Sequence, residues 1–232
     1  MLSVSGLKSG YGKVQIVDDV SINVNKGEIV AIIGRNGVGK STFIKTLIGI
    51  LPTFSGNIEY EGKDISKWHD YKRARAGMGY VPQGHGIFPQ LTVEENLRVG
   101  AMVNLKKKEN NYQRIYNYFP RIEERRSQKA GTMSGGEQAM LSIGRVLVNT
   151  PDLILLDEPS EGVQPNIVSK IGDIIKQIRD DLGLTVLLVE QNMELIQQVS
   201  DRGYVMDKGK IIADLTKEQI NDDSVIKKYL SV

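Results

Sequence analysis

Residues 28–42 read Glu28-Ile29-Val30-Ala31-Ile32-Ile33-Gly34-Arg35-Asn36-Gly37-Val38-Gly39-Lys40-Ser41-Thr42. After Glu28 the run is continuously apolar, as expected of a strand buried on both faces of a sheet, and it breaks at Gly34 into a glycine-rich turn. From Lys40 a helical spacing begins, with Phe43, Ile44, Leu47 and Ile48 on one side, and Gly49 and Pro52 close it. Strand, glycine loop and helix together make the βα unit of a parallel sheet. The loop also satisfies the spacing G-x-x-x-x-G-K-S in full. Its glycines let successive N–H groups turn toward phosphate oxygens, and the helix N-terminus adds a favourable dipole. Lys40 supplies a cation for the β and γ oxygens, and Ser41 offers a hydroxyl to Mg2+.

A second apolar strand, Leu153-Ile154-Leu155-Leu156, ends in Asp157-Glu158. This is the partner that a phosphate loop requires: Asp157 to reach the Mg2+ shell and Glu158 to polarise an attacking water. Together the two elements read as a nucleotide hydrolase. GTPases, kinases and motor ATPases share them, so the discriminating residues must lie elsewhere.

Working outward, residues 2–7, 20–24, 57–60 and 78–81 read as strands; in the second of these Val20, Ile22 and Val24 alternate with polar neighbours. The middle third is helical in pattern, over 93–105, 111–119 and 134–148. The α/β alternation resumes with strand 153–157, helix 166–181, strand 185–189, helix 193–199 and the short pair 204–206 and 211–213. The expectation is a single domain over 1–232. Residues 1–83 and 149–232 would form an α/β core with an N-terminal antiparallel β subdomain, and about 84–148 a helical subdomain interrupting it.

Composition excludes several classes. Of 232 residues, 40% are hydrophobic and 25% charged, the profile of an ordinary globular chain. Thirty Lys and Arg against 28 Asp and Glu leave a formal charge of +2, which gives no argument for nucleic acid or an anionic membrane surface. The run Lys106-Lys107-Lys108 reads as a solvated loop. The absence of cysteine removes disulfides and thiolate metal sites, and His69 and His85 alone do not make a histidine-rich one. The apolar runs fall short of the roughly 18 to 20 residues needed to span a bilayer, and no secretory signal is visible.

The discriminating residues stand in the helical third. Thr132-Met133-Ser134-Gly135-Gly136-Glu137-Gln138 lies at a helix start, where Ser134 and the amides of Gly135 and Gly136 could bind a second set of phosphate oxygens. Alone, Ser-Gly-Gly is also a common turn and cap. Motif order is more specific. Tyr11, the 34–42 loop, Gln83 in Val81-Pro82-Gln83, the segment Met133 to Glu137 and the 153–158 strand follow one another as they do in the ATP-binding cassette proteins. The sequence resembles that family over essentially its whole length.

The resemblance implies a P-loop ABC ATPase fold using ATP and Mg2+. Tyr11 would stack on adenine, while Gly34, Arg35, Asn36, Gly37, Val38, Gly39, Lys40, Ser41 and Thr42 would hold the nucleotide. Ser41, Gln83 and Asp157 would serve the metal, and Glu158, Gln83 and Gln191 the chemistry. Ser134, Gly135, Gly136 and Glu137 would contact the ATP of a partner, because two such subunits close head to tail. That partner would be a second, homologous ATP-binding chain or a second copy of this one. Two transmembrane permease subunits and an extracytoplasmic substrate-binding protein complete the implied assembly, with this chain peripheral on the cytoplasmic face of the membrane and no nucleic acid involved.

Four positions in three motifs depart from the family pattern. Met133 and Glu137 stand where leucine and glutamine are common, Gln164 replaces the usual aspartate after the catalytic strand, and Gln191 replaces the switch histidine. Glutamine donates a hydrogen bond but does not titrate near neutrality, so any role of Gln191 is positional. Glu190-Gln191-Asn192 and the stretch from Ile87 to Leu97 resemble the shorter ATPase of branched-chain amino acid importers, and 34–39 and 161–165 lean toward the urea-importing branch. A soluble cassette acting on nucleic acid or ribosomes, an exporter's ATPase and a small-metabolite kinase remain as alternatives.

Overall fold

The computed structural model describes residues 1–104 and 111–230. The chain opens with the hairpin β1 (Leu2–Tyr11) and β2 (Val14–Val24), followed by β3 (Ile29–Ile33) and α1 (Lys40–Ile48). Next come β4 (Thr53–Tyr60), β5 (Lys63–Asp64), α2 (Asp70–Arg75) and β6 (Met78–Val81). A helical stretch holds α3 (Val93–Ala101), α4 (Tyr112–Tyr118), α5 (Pro120–Glu124) and α6 (Gly135–Leu147), with 3-10 turns at Met102–Asn104 and Ala130–Thr132. Then follow β7 (Leu153–Asp157), α7 (Pro165–Leu182), β8 (Thr185–Glu190), α8 (Met193–Val199), β9 (Arg202–Asp207), β10 (Lys210–Thr216), α9 (Lys217–Ile220) and α10 (Asp223–Leu230).

Among the described residues the strands form two sheets. The smaller is antiparallel, in the order β2-β1-β4-β5; the larger runs β10-β9-β3-β8-β7-β6, parallel except for β10 at its edge. The larger sheet is covered on both faces, which is why β3, β7 and β8 are buried along their whole length. Alternation sorts the residues: Val30, Ile32, Leu155 and Leu187 pack with Phe43 and Leu47 of α1 and with Leu7, Val20 and Ile58 of the smaller sheet. On the opposite face Ile154, Leu156 and Leu188 share a core with Leu97, Leu141 and Ile175, whereas Ala31, Ile33 and Val205 pack against Ile196, Ile220 and Ile226. Each such Leu or Ile contributes on the order of 1.5–3 kcal/mol by leaving water.

Several elements differ from the sequence expectation for local reasons. The first hairpin is longer than 2–7 and 20–24, because β1 carries register shifts that interrupt its alternation. The helix expected over 93–105 ends at Ala101 in a 3-10 turn, while Leu105 and Lys106-Lys107-Lys108 lie outside the described residues. Phe119 leaves the helix before Pro120, whose ring disfavours helical backbone in its predecessor, and Pro120 starts α5. The elements β5, α2, α5, α9 and α10 were not expected; most are too short to show a period.

One buried cation holds α1 in place. Arg73 of α2 is 2% exposed. Its guanidinium donates to the carbonyls of Thr46 and Leu47 at 2.9 and 2.8 Å, and of Trp68 and Ser66 at 3.0 and 3.1 Å. It thereby pairs the Leu47 carbonyl at the last turn of α1, shares the Thr46 carbonyl with the Gly49 amide, and lies at the negative end of the helix dipole. Burial pushes its pKa down to about 10, so it stays protonated at neutral pH. Arg73→Met is expected to lower unfolding free energy by about 3 kcal/mol or more, measured by urea denaturation; a change within about 0.5 kcal/mol would contradict the anchoring role.

Candidate functional site

The C-terminal ends of β3 and β7 lie on either side of β8, so both open onto the same edge of the larger sheet. There residues 34–39 turn back into α1. Gly39 holds φ at 110°, a value an L side chain rarely adopts, and a Cβ there would lie 3.3 Å from Ile16 Cγ2 of β2. No side chain caps α1. Its first-turn residues Lys40, Ser41 and Thr42 instead line a cleft of about 450 Å³, together with Tyr11, Asn36, Gly37, Gln83 and Glu158. Uncapped helix amides facing a cleft form an anion site.

The Lys40 ammonium closes the loop on itself. Only 3% exposed, Lys40 donates to the carbonyls of Gly34 at 2.8 Å and Arg35 at 2.9 Å, and lies 3.2 Å from Glu158 Oε1. The other Glu158 oxygen accepts from Gln83 Nε2 at 3.2 Å. Beneath this pair, Ser41 Oγ donates to Asp157 Oδ1 at 2.9 Å and Tyr80 Oη to Asp157 Oδ2 at 3.3 Å. Burial raises the Asp157 pKa, opposed by the Ser41 and Tyr80 hydrogen bonds. A hydroxyl and a carboxylate with no softer ligand beside them suit a hard divalent cation such as Mg2+, which shares its shell with phosphate oxygens. Among the described residues no three His, Cys, Asp or Glu side chains form a protein-only metal cage.

Glu158 also has a left-handed backbone, with φ 50°. For a non-glycine residue that costs on the order of 1–3 kcal/mol and is found where function demands it. Nothing in the residue pattern announces this strain.

Not every expected residue meets the cleft. Val38 turns its carbonyl to the amide of Gly209 at 2.8 Å. Ser134 caps α6, and Gly135 and Gly136 pack so closely on Gly162 and Ile167 that Cβ atoms there would come within 3.0 and 2.5 Å of them. Glu137 returns the cap, accepting from the amide and hydroxyl of Ser134 at 3.0 Å each, and is paired with Arg125 at 2.9 Å. Gln191, just after β8, is exposed and is not among the residues lining the cleft. Sequence reasoning missed Tyr80, Ser160 and Glu190. Tyr80 meets Asp157 only through the pairing of β6 with β7, and Glu190 is an acid ending an otherwise buried strand, a signal of the same kind as Asp157-Glu158.

Comparison with known proteins agrees with this geometry. The model of the ABC transporter family matches residues 17–161. The chain belongs to the ABC transporter family. This cassette is 45% identical to the high-affinity branched-chain amino acid transport ATP-binding protein BraG of Pseudomonas aeruginosa, over 96% of its own length and 98% of that protein's. It is 39% identical to the lipopolysaccharide export system ATP-binding protein LptB of Haemophilus influenzae, over 99% and 97% of the two chains. A nucleotide-free ATP-binding cassette from an ABC transporter superposes on it with a TM-score of 0.87 at 30% identity, covering 100% of this chain and 99% of that one. The chain is therefore the ATP-binding, ATP-hydrolysing subunit of a transporter, with the cassette fold. Among the described residues no helix of this cassette is long and apolar enough to cross a membrane.

In the nucleotide-free cassette, Lys40→Met leaves Glu158 buried without its counter-charge. Unfolding free energy is expected to fall by about 3 kcal/mol, measured by urea titration without nucleotide; an unchanged midpoint would show that the pair is idle.

Proposed function

We propose that this cassette energises an importer of the branched-chain amino acid or urea type by Mg-ATP-driven closure of two ATP-binding subunits, head to tail. The observation that carries the reading is the buried Lys40–Glu158 pair, with Gln83 on the other Glu158 oxygen and the Ser41–Asp157 hydrogen bond on the neighbouring residue. The relationship to BraG supports the importer class.

In this reading the amides of 34–42 and the Lys40 ammonium bind the β- and γ-phosphates, Lys40 exchanging its Glu158 contact for phosphate oxygens. Tyr11, exposed at the tip of the β1–β2 hairpin, stacks on the adenine. Ser41, Asp157 and Gln83 would hold a Mg2+, which would supply charge neutralisation at the phosphate oxygens. Glu158 accepts the proton of the water that adds to the γ-phosphorus while the bond to the β-phosphate oxygen breaks. Gln83 keeps that water and carboxylate in line, and Gln191 reaches the γ-phosphate as a neutral donor once the subunits close. Ser134, Gly135, Gly136 and Glu137, on the helical subdomain of about 84–148, complete the partner's cleft.

Transport requires permeases, and a cleft of about 490 Å³ between α2 and the α3–α6 helices suits a membrane-embedded partner. Ile50, Tyr71, Phe88 and Val103 present exposed apolar surface there, and the Gln83–Phe88 segment joins it to the nucleotide cleft. The likeness to LptB leaves an exporter as a second reading. Stimulation of ATP turnover by a loaded extracytoplasmic binding protein distinguishes the importer, since an exporter has no use for one.

In the reconstituted transporter, Glu158→Gln is expected to bind ATP normally and to lose about 100-fold or more in turnover; wild-type hydrolysis would end the general-base assignment. Tyr11→Ala should weaken binding of a fluorescent ATP analogue by about tenfold, the loss of one base–aromatic stack. An unchanged dissociation constant would put the adenine elsewhere.

A further inference from the structure

The left-handed Glu158 backbone needs something to hold it. Glu158 precedes Pro159, and a proline pushes its predecessor toward extended backbone, so the local chain does not favour φ 50°. Some restraint is near at hand: the Glu158 amide donates to the Val189 carbonyl at 2.9 Å, and the Glu158 carbonyl accepts from the Glu161 amide at 3.1 Å. The side chain is held by Lys40 and Gln83, but those are the groups that turn to phosphate and metal when nucleotide is bound. A lasting anchor has to be independent of the cleft.

Glu190 meets that condition. It ends β8, is 1% exposed, and does not line the nucleotide cleft. Its Oε2 accepts from the Ser160 hydroxyl at 2.8 Å and the Ser160 amide at 3.3 Å, and its Oε1 accepts from the amides of Gln191 at 2.8 Å and Asn192 at 3.0 Å. Both oxygens of a buried carboxylate are thus filled by neutral donors from two separate segments. Helix capping does not explain it, because the Asn192 side chain already caps α8 by accepting from Leu195 N at 3.1 Å. The chemistry requires a carboxylate: an amide at this position accepts through one oxygen only, and its NH2 would face two donors.

We propose that Glu190 is a positioning residue acting through Glu158. By clamping Ser160 to Gln191 and Asn192, it holds the 158–160 turn in the geometry that aims the Glu158 carboxylate at the phosphate end of the cleft. The inference rests on the reading of Glu158 as general base.

The test is steady-state ATP hydrolysis by the reconstituted transporter. Glu190→Gln is expected to lower kcat by about 10- to 100-fold, the scale of a misaimed catalytic group, with KM for ATP within about twofold of wild type. Ser160→Ala, which removes one hydroxyl, should lower kcat in the same direction by a smaller factor. On the Glu158→Gln background, Glu190→Gln should cost nothing further, since it acts through the group already removed. An equal factor on both backgrounds would assign Glu190 to general structure and overturn the proposal, as would wild-type kcat in Glu190→Gln. If Glu190→Gln melts below the assay temperature, Ser160→Ala decides alone: lost kcat supports the clamp and wild-type kcat removes it. Wild-type turnover in Glu158→Gln would remove the base and the clamp together, whereas an inactive Glu158→Gln beside a fully active Glu190→Gln removes only the clamp.

Discussion

A buried ammonium dictates the arrangement of this molecule's reacting edge. Taking the Lys40 charge out of water is tolerable only if oxygen atoms surround it. The carbonyls of Gly34 and Arg35 supply some of them from the loop itself, and Glu158 supplies the counter-charge from another strand. That second demand ties the end of β3 to the end of β7, with β8 between them. The parallel sheet makes it possible, because all three strands end at one edge, where loops from each can converge.

The cleft is accordingly paired internally but under tension. Lys40 rests on a carboxylate, Asp157 is buried with a raised pKa, and Glu158 sits in a backbone region that favours glycine. Each of these is a cost that phosphate and a divalent cation would relieve or use: phosphate oxygens would give the ammonium new partners, and a cation would favour the ionised Asp157 that burial opposes. Strain and unmatched charge at the centre of a well-packed sheet indicate where binding energy is to be spent.

Much of this was legible in the residue order. The apolar run before Gly34, the G-x-x-x-x-G-K-S spacing, the Asp157-Glu158 strand end and the Ser134 cap each carry their meaning within a few neighbours. The misses share a physical character. The elements β5, α9 and α5 span two, four and five residues, too few for a hydrophobic period to emerge. Tyr80, Ser160 and Glu190 are ordinary residues until β6, β7 and β8 are set side by side.

The sequence by itself determined the pieces whose physics is local: the glycine loop that must turn amides outward, the helix that must follow it, the strands buried on both faces, and the family to which that order of motifs points. Only the tertiary structure decided which strand ends are neighbours, that Glu158 is held in a left-handed backbone, that Glu190 clamps Ser160 to the end of β8, and that Gln191 and Ser134 stand apart from the cleft of their own chain. Strand order and register depend on contacts between residues more than a hundred positions apart, such as Ser41 and Asp157, and no short-range pattern encodes them.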